Sequence, residues 1–234
     1  MSVLLEVIAT TVADARLAAQ AGADRLELVT SMGEGGLTPS IGLIEAVVDA
    51  VSIPVNVIVR PHSRSFVYDA DDFAVMLRDV RAVKAAGANG VVIGMLNANG
   101  EIDREQLARA IGAAGDLAIT FHRAFDEARD QQKALDALLG FDAVTNVLSS
   151  GGKPSVLDAE ATIRELARQA AGYRCTVLAG AGLTVDAVAG FVSRTRVEAV
   201  HFGSGVRTGG NGLAPVDSEK VAQVRALLDA QTKS

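Results

Sequence analysis

Short apolar runs recur along the whole of this 234-residue chain, each closed by glycine or by an ionisable residue and each followed by a stretch of helical composition. In order they cover residues 3–8, 24–29, 54–60, 88–95, 117–121, 143–148, 174–178 and 197–202. Most are continuous rather than alternating, the pattern of strands covered on both faces. The helices between them announce their ends. Thr38 with Pro39 opens a helix running to about residue 51, and Asp69 with Asp72 opens one that ends at Gly87. Asp103 with Gln106 and Ser155 with Asp158 open two more. Segments 11–21, 130–139, 184–194 and 217–230 complete the set.

About eight strands alternating with about eight helices predict an α/β protein of the (β/α)8 TIM-barrel type. Residues 1–234 read as a single domain, because no Pro/Ser-rich linker or shift of composition divides them. The alternative is a doubly wound open sheet. No GxGxxG follows the first strand, which weakens a dinucleotide-binding version of that fold.

Composition narrows the function. A net charge of -6 argues against nucleic acid or an anionic membrane as a partner. A single cysteine, Cys175, excludes an internal disulfide framework and fits a reducing cytoplasm. The N-terminus has no positive region and carries Glu6 within its apolar stretch, so it does not read as a signal peptide. No apolar run approaches the ~20 residues of a membrane span.

In such a barrel the C-terminal strand ends form the active site. The three histidines, His62, His122 and His201, all fall at predicted strand ends, where proton transfer or metal ligation is within their chemistry. The densest cluster is in AITFHRAFD (118–126): His122 is expected to face the lumen and Arg123 to pair with Asp126. Glu6 and Glu27 sit inside adjacent strands and can both point into the lumen, where burial and mutual repulsion would raise at least one pKa. Glu27 can instead hold Arg25 or Arg60 in a buried network. Arg60 can fork onto a substrate anion, or pair with Glu6 or Glu27. The loops carrying Gly180 and Gly182 after strand seven and Gly203 and Ser204 after strand eight let backbone N–H groups approach an anion. Ser149, after strand six, and His62 extend the same candidate binding rim. Met32 and Met95 fall just beyond strand ends near the mouth, whereas Cys175, at the start of strand seven, reads as a buried hydrophobe rather than a nucleophile.

LEV (5–7), GADRLEL (22–28), GGLTPS (35–40), RP (60–61), GVVIG (90–94) and TFHRAFD (120–126) together resemble the CutC family of copper homeostasis proteins. The resemblance implies a cytoplasmic (β/α)8 barrel, usually a homo-oligomer. It places Glu6, Glu27, Arg60, His122, Arg123 and Asp126 at the barrel mouth. Family members often carry cysteines where this chain has Ile8 and Val29, and RPR where it has Arg60-Pro61-His62. The function so implied is copper binding, with His122 and His201 as candidate ligands. The residues themselves support an alternative: an isomerase- or lyase-type enzyme acting on a small anionic or phosphorylated metabolite.

Overall fold

The computed structural model describes residues 3–231. Its strands are β1 (Leu4–Ala9), β2 (Arg25–Leu28), β3 (Val55–Ile58), β4 (Gly90–Ile93), β5 (Ala118–Phe121), β6 (Val144–Ser149), β7 (Thr176–Ala179) and β8 (Ala199–Phe202). Each pairs in parallel with the next, and β8 pairs with β1, so the sheet closes on itself. Helices α1 (Val12–Gln20), α2 (Ile41–Ala50), α3 (Ala70–Ala85), α4 (Arg104–Ala114), α5 (Gln131–Leu139), α6 (Glu160–Ala170), α7 (Val185–Thr195) and α8 (Ser218–Gln231) follow the strands in turn. The result is the (β/α)8 barrel that the alternation predicts, and the β8–β1 ladder rules out an open sheet. No helix among the described residues is long and apolar enough to cross a membrane.

Side-chain alternation divides each strand between two environments. On β1, Leu5, Val7 and Ala9 face outward and join the main core with Ala15 and Ala18 of α1, while Leu4, Glu6 and Ile8 face the lumen. Leu, Ile and Val usually fill such a lumen. Here Ile8, Val29, Ile58 and Val92 make one small apolar cluster and Leu4, Leu148, Leu178 and Ala199 another. The buried polar residues Glu6, Arg25, Glu27, Asn56, Thr120, Asn146 and His201 take other inward positions.

Three sequence expectations are corrected. Helix α2 begins at Ile41 with Ser40 as its cap, not with Thr38 and Pro39. Thr38 is engaged elsewhere: its hydroxyl donates to the Arg60 carbonyl (3.2 Å) and accepts from the Arg60 N–H (2.9 Å), tying the β2–α2 loop to the end of β3. Ser155 caps only a short 3-10 turn (Val156–Asp158), and α6 starts after it at Glu160. Met95 is fully buried in the core between sheet and helices, not at the mouth, because its strand turns it outward.

The first and last strand–helix units are locked together by a buried ion pair. Arg207, in the loop after β8, donates to Asp14 of α1 at 3.1 Å and to the Ile8 carbonyl at 3.1 Å. Asp14 also accepts from the Val216 N–H (3.0 Å) and from the Thr10 hydroxyl (2.8 Å). Both partners are almost wholly buried, so removing one strands the other's charge. Asp14→Ala is therefore expected to lower unfolding free energy by about 3–5 kcal/mol in urea denaturation. A loss below about 1 kcal/mol, the scale of a surface pair, would show that the seam does not depend on it.

Candidate functional site

The lumen holds a chain of ionisable groups. Arg25 Nε donates to Glu6 Oε2 at 2.6 Å, and Arg25 Nη1 crosses the barrel to Asn146 Oδ1 on β6 at 3.0 Å. The other Glu6 oxygen meets His201 Nδ1 at 2.8 Å. His201 Nε2 lies 3.5 Å from Glu27 Oε2. The β1–β2 and β1–β8 registers, which set Glu6 opposite Arg25 and opposite His201, impose this arrangement. Arg25 thus serves Glu6, not Glu27. Gly180 makes the packing possible, since a Cβ there would come within 3.0 Å of the His201 side chain.

These contacts separate the two carboxylates. Burial works to raise the Glu6 pKa, but the Arg25 charge and the His201 bond outweigh it, so Glu6 stays ionised. Glu27 has no guanidinium bonded to it and only the longer contact with His201. Burial pushes it up to about 7; the nearby His201 restrains the rise and the Glu6 charge adds to it. Burial opposes protonation of His201, yet its bond to Glu6 and the charges of Glu27 and Glu6 raise its pKa. One carboxylate is fixed as an anion and the other is poised near neutrality.

His122 follows β5 and is buried. Its Nδ1 accepts from the Ala124 N–H at 3.1 Å, which places the proton of the neutral ring on Nε2. That buried Nε2 has no hydrogen-bond partner. Burial, and then the charge of Arg60, drive the His122 pKa down to about 3, so the ring is a neutral donor at physiological pH. Gly94 opposite it is required, because a Cβ would overlap the imidazole. Phe66, in the β3–α3 loop, packs on both groups: its ring centroid lies 5.0 Å from that of His122 and 4.6 Å from Arg60 Cζ. Arg60 itself pairs with neither Glu6 nor Glu27. Its Nη1 donates to the carbonyls of Glu34 (3.0 Å) and Gly36 (3.3 Å).

A cavity of about 470 Å3 opens at the C-terminal end of the barrel. Glu27, His122, His201, Arg60 and Arg123 line it, with Gly182, Gly203 and Ser204 on its β7–β8 side. Several expected residues fall elsewhere. Glu6 is fully buried and does not line the cavity. His62 is turned to Asp72, 2.9 Å away. Ser149 donates to Asp126 at 2.6 Å, away from the cavity, and Gly180 is covered by His201 and Leu148. Asp126 borders the cavity, but its oxygens also accept from Ser150 N, Ser150 Oγ, Gly152 N and Arg123 Nε. With its lone pairs so committed, Asp126 clamps the β5 and β6 loops rather than doing acid–base work. Arg25 was missed as a site residue although an inward-facing arginine in GADRLEL signals it. Nothing local in the sequence points to Phe66.

Among the described residues, the metal-capable donors that converge are Glu6, Glu27 and His201, whose ligand atoms lie within 4.8 Å of one another. His122 is not among them; its Nδ1 is held by Ala124. The set does not fit copper. Both Glu6 oxygens are engaged and a guanidinium stands 2.6 Å from one of them. Soft ligands are scarce: Met32 borders the cavity, Ile8 and Val29 are apolar, and Cys175 is buried in the core with burial pushing its thiol up to about 12.

Residues 3–206 match the CutC family model. The chain is 42% identical over 190 residues to a CutC family protein of Mesorhizobium japonicum, covering 81% of this chain and 73% of that one. It is 33% identical to one from Chromobacterium violaceum along the full length of both. The crystal structure of the putative copper homeostasis protein CutC of Streptococcus agalactiae superposes with a TM-score of 0.80 at 28% identity, covering 85% of this chain and 97% of that one. The phosphoribosylanthranilate isomerase of Pyrococcus furiosus, at 12% identity and a TM-score of 0.64, covers 97% of this chain and 99% of its own and shares the barrel alone. On the family match and these relatives, the chain belongs to the CutC family.

Proposed function

We propose that this barrel is an enzyme of isomerase or lyase type that moves a proton on carbon next to a carbonyl of a small anionic substrate. The observation that carries the reading is a pairing in one cavity: a carboxyl poised near neutrality, Glu27, and a neutral, unpaired N–H donor, His122 Nε2. A base with its pKa near working pH combines proton affinity with availability. A neutral imidazole fixed as a donor suits a carbonyl oxygen that gains negative charge.

The step balances within these groups. The Glu27 carboxylate takes the proton, the C–H pair becomes a C=C bond, and the carbonyl pair moves onto oxygen, where His122 donates to it. Return of the proton to a different atom gives the isomer; in a retro-aldol cleavage Glu27 instead takes the β-hydroxyl proton, the O–H pair forms the new carbonyl, the C–C bond breaks, and its pair gives the enolate that His122 donates to and that is then reprotonated. Glu6, Arg25 and His201 keep a fixed charge pattern beneath Glu27. Arg60 and the loops at Gly182 and at Gly203-Ser204 supply the anion's surroundings.

Incubating the protein in D2O with a panel of phosphorylated and carboxylated ketones, read by proton NMR, tests this. Solvent deuterium should enter a C–H position, with a rate that climbs as pH rises through about 7, where Glu27 loses its proton. Glu27→Gln should slow exchange by at least about 100-fold. Absence of exchange across the panel, or undiminished exchange in the variant, would reject the reading.

Stability offers a check that needs no substrate. The folded-state pKa of Glu27 is raised, so its protonated form favours folding below the ordinary value of 4.5, and that contribution is lost as pH rises to about 7. Glu27→Gln has no proton to lose. In urea denaturation the variant should therefore gain on the wild type between pH 5 and pH 8 by on the order of 2–3 kcal/mol. A difference that does not change with pH would show that Glu27 is not desolvated.

The donor set leads to an expectation opposite to the copper role in the family's name. With the donor set as it stands, Cu(I) under reducing conditions should show no saturable site tighter than about 1 μM. A tighter site, lost on replacing His201 or Glu27, would restore copper binding.

A further inference from the structure

Arg60 is a guanidinium only 7% exposed, and no carboxylate among the described residues stands within 4.0 Å of it. The acidic groups around it are committed elsewhere. Glu34 accepts from the Ser63 hydroxyl at 2.7 Å, and Asp72 pairs with His62 and Arg64. A buried cation without a counter-ion is costly to keep, and a ligand anion removes that cost.

The donors show where the anion goes. A guanidinium has five N–H bonds. The two on Nη1 serve Glu34 O and Gly36 O, and one on Nη2 reaches Ser63 O at 3.5 Å. The Nε–H, buried, has no acceptor. The Tyr68 hydroxyl lies against the same guanidinium, but Nε–H stays unpaired, and Nε–H with its neighbouring Nη2–H is a fork for the two oxygens of a carboxylate. His122 Nε2, the other unpaired donor at this cavity, stands against the same Phe66 ring as Arg60.

We propose that the substrate is a 2-oxo carboxylate, its carboxylate forked on Arg60 and its adjacent carbonyl oxygen held by His122 Nε2. This deepens the proton-transfer reading and rests on it. Two unpaired donors flanking one aromatic ring suit a molecule whose carboxylate and carbonyl sit on neighbouring carbons. Glu27 then takes the proton from the third carbon; its C–H pair forms the C2=C3 bond and the carbonyl pair goes to oxygen beside His122. The apolar surface of Ile8, Val29 and Ile58 meets the chain beyond that carbon.

Oxalate, a planar dianion shaped like the enolate of a 2-oxo acid, is the probe, titrated calorimetrically into the full chain with acetate and inorganic phosphate as comparators. Oxalate should bind at least about tenfold more tightly than acetate or phosphate. Arg60→Met should weaken it by about 100-fold, and His122→Asn by about tenfold. Arg60→Lys, which keeps the charge but loses the fork, should weaken it by about tenfold while thermal melting confirms the fold. Equal binding of the three anions, or oxalate binding indifferent to both Arg60 variants, would overturn the assignment. Either result alongside Glu27-dependent deuterium exchange would leave the enzyme reading standing. Arg60-dependent oxalate binding without exchange of any ketone would instead retain the carboxylate site and reject proton transfer.

Discussion

The ion pair between Arg25 and Glu6, 2.6 Å long and sealed inside the barrel, sets the chemistry of everything above it. Two carboxylates in one apolar tube would compete for protons, and each would lose its identity. Arg25 removes the ambiguity by fixing the charge on Glu6, and His201 doubles that hold from the other side. What remains is a single carboxyl, Glu27, buried with no guanidinium partner, in only a 3.5 Å contact with His201, and able to take or release a proton at the cavity. The lumen therefore trades apolar packing for a charge pattern. An ordinary barrel gains stability from layers of branched hydrocarbon there; this one keeps its hydrocarbon core outside the strands, between sheet and helices.

The same separation governs the mouth. Arg60 lies over the Phe66 ring and meets carbonyls rather than carboxylates. Burial, and then the Arg60 charge, keep His122 neutral, and the Ala124 N–H selects the tautomer. Base, neutral donor and cation are thus held in three environments by three different devices. Asp126 and its partners stiffen the β5 and β6 loops that carry His122 and Arg123, which is a positioning role rather than a chemical one.

The order of strands could be read from the chain because continuous apolar runs and capping residues are local signals, and eight such units close in one way. The inward turn of Glu6, Glu27 and His122 followed from alternation along a strand. What failed depended on contacts distant in sequence. Thr38 looks like a cap, yet the Arg60 backbone claims its hydroxyl. Ser149 and His62 sit at strand ends, yet neither lines the cavity: Ser149 bonds to Asp126 and His62 to Asp72. Met95 falls beyond a strand end, but the strand's parity sends it to the outer core. The family resemblance and the strand-end histidines suggested a metal; only coordinates show that His122 and His201 belong to separate networks.

The claim at the centre is that burial and charge have divided the lumen into a fixed anion, a poised carboxyl and a neutral imidazole. Carboxyl-13C NMR of the glutamates, assigned through Glu6→Gln and Glu27→Gln, measures it directly. The Glu27 resonance should titrate near 7 while that of Glu6 remains at the ionised position down to below the ordinary 4.5. Two carboxyls titrating together in the usual range would contradict the account, because neither would then be distinguished by its surroundings.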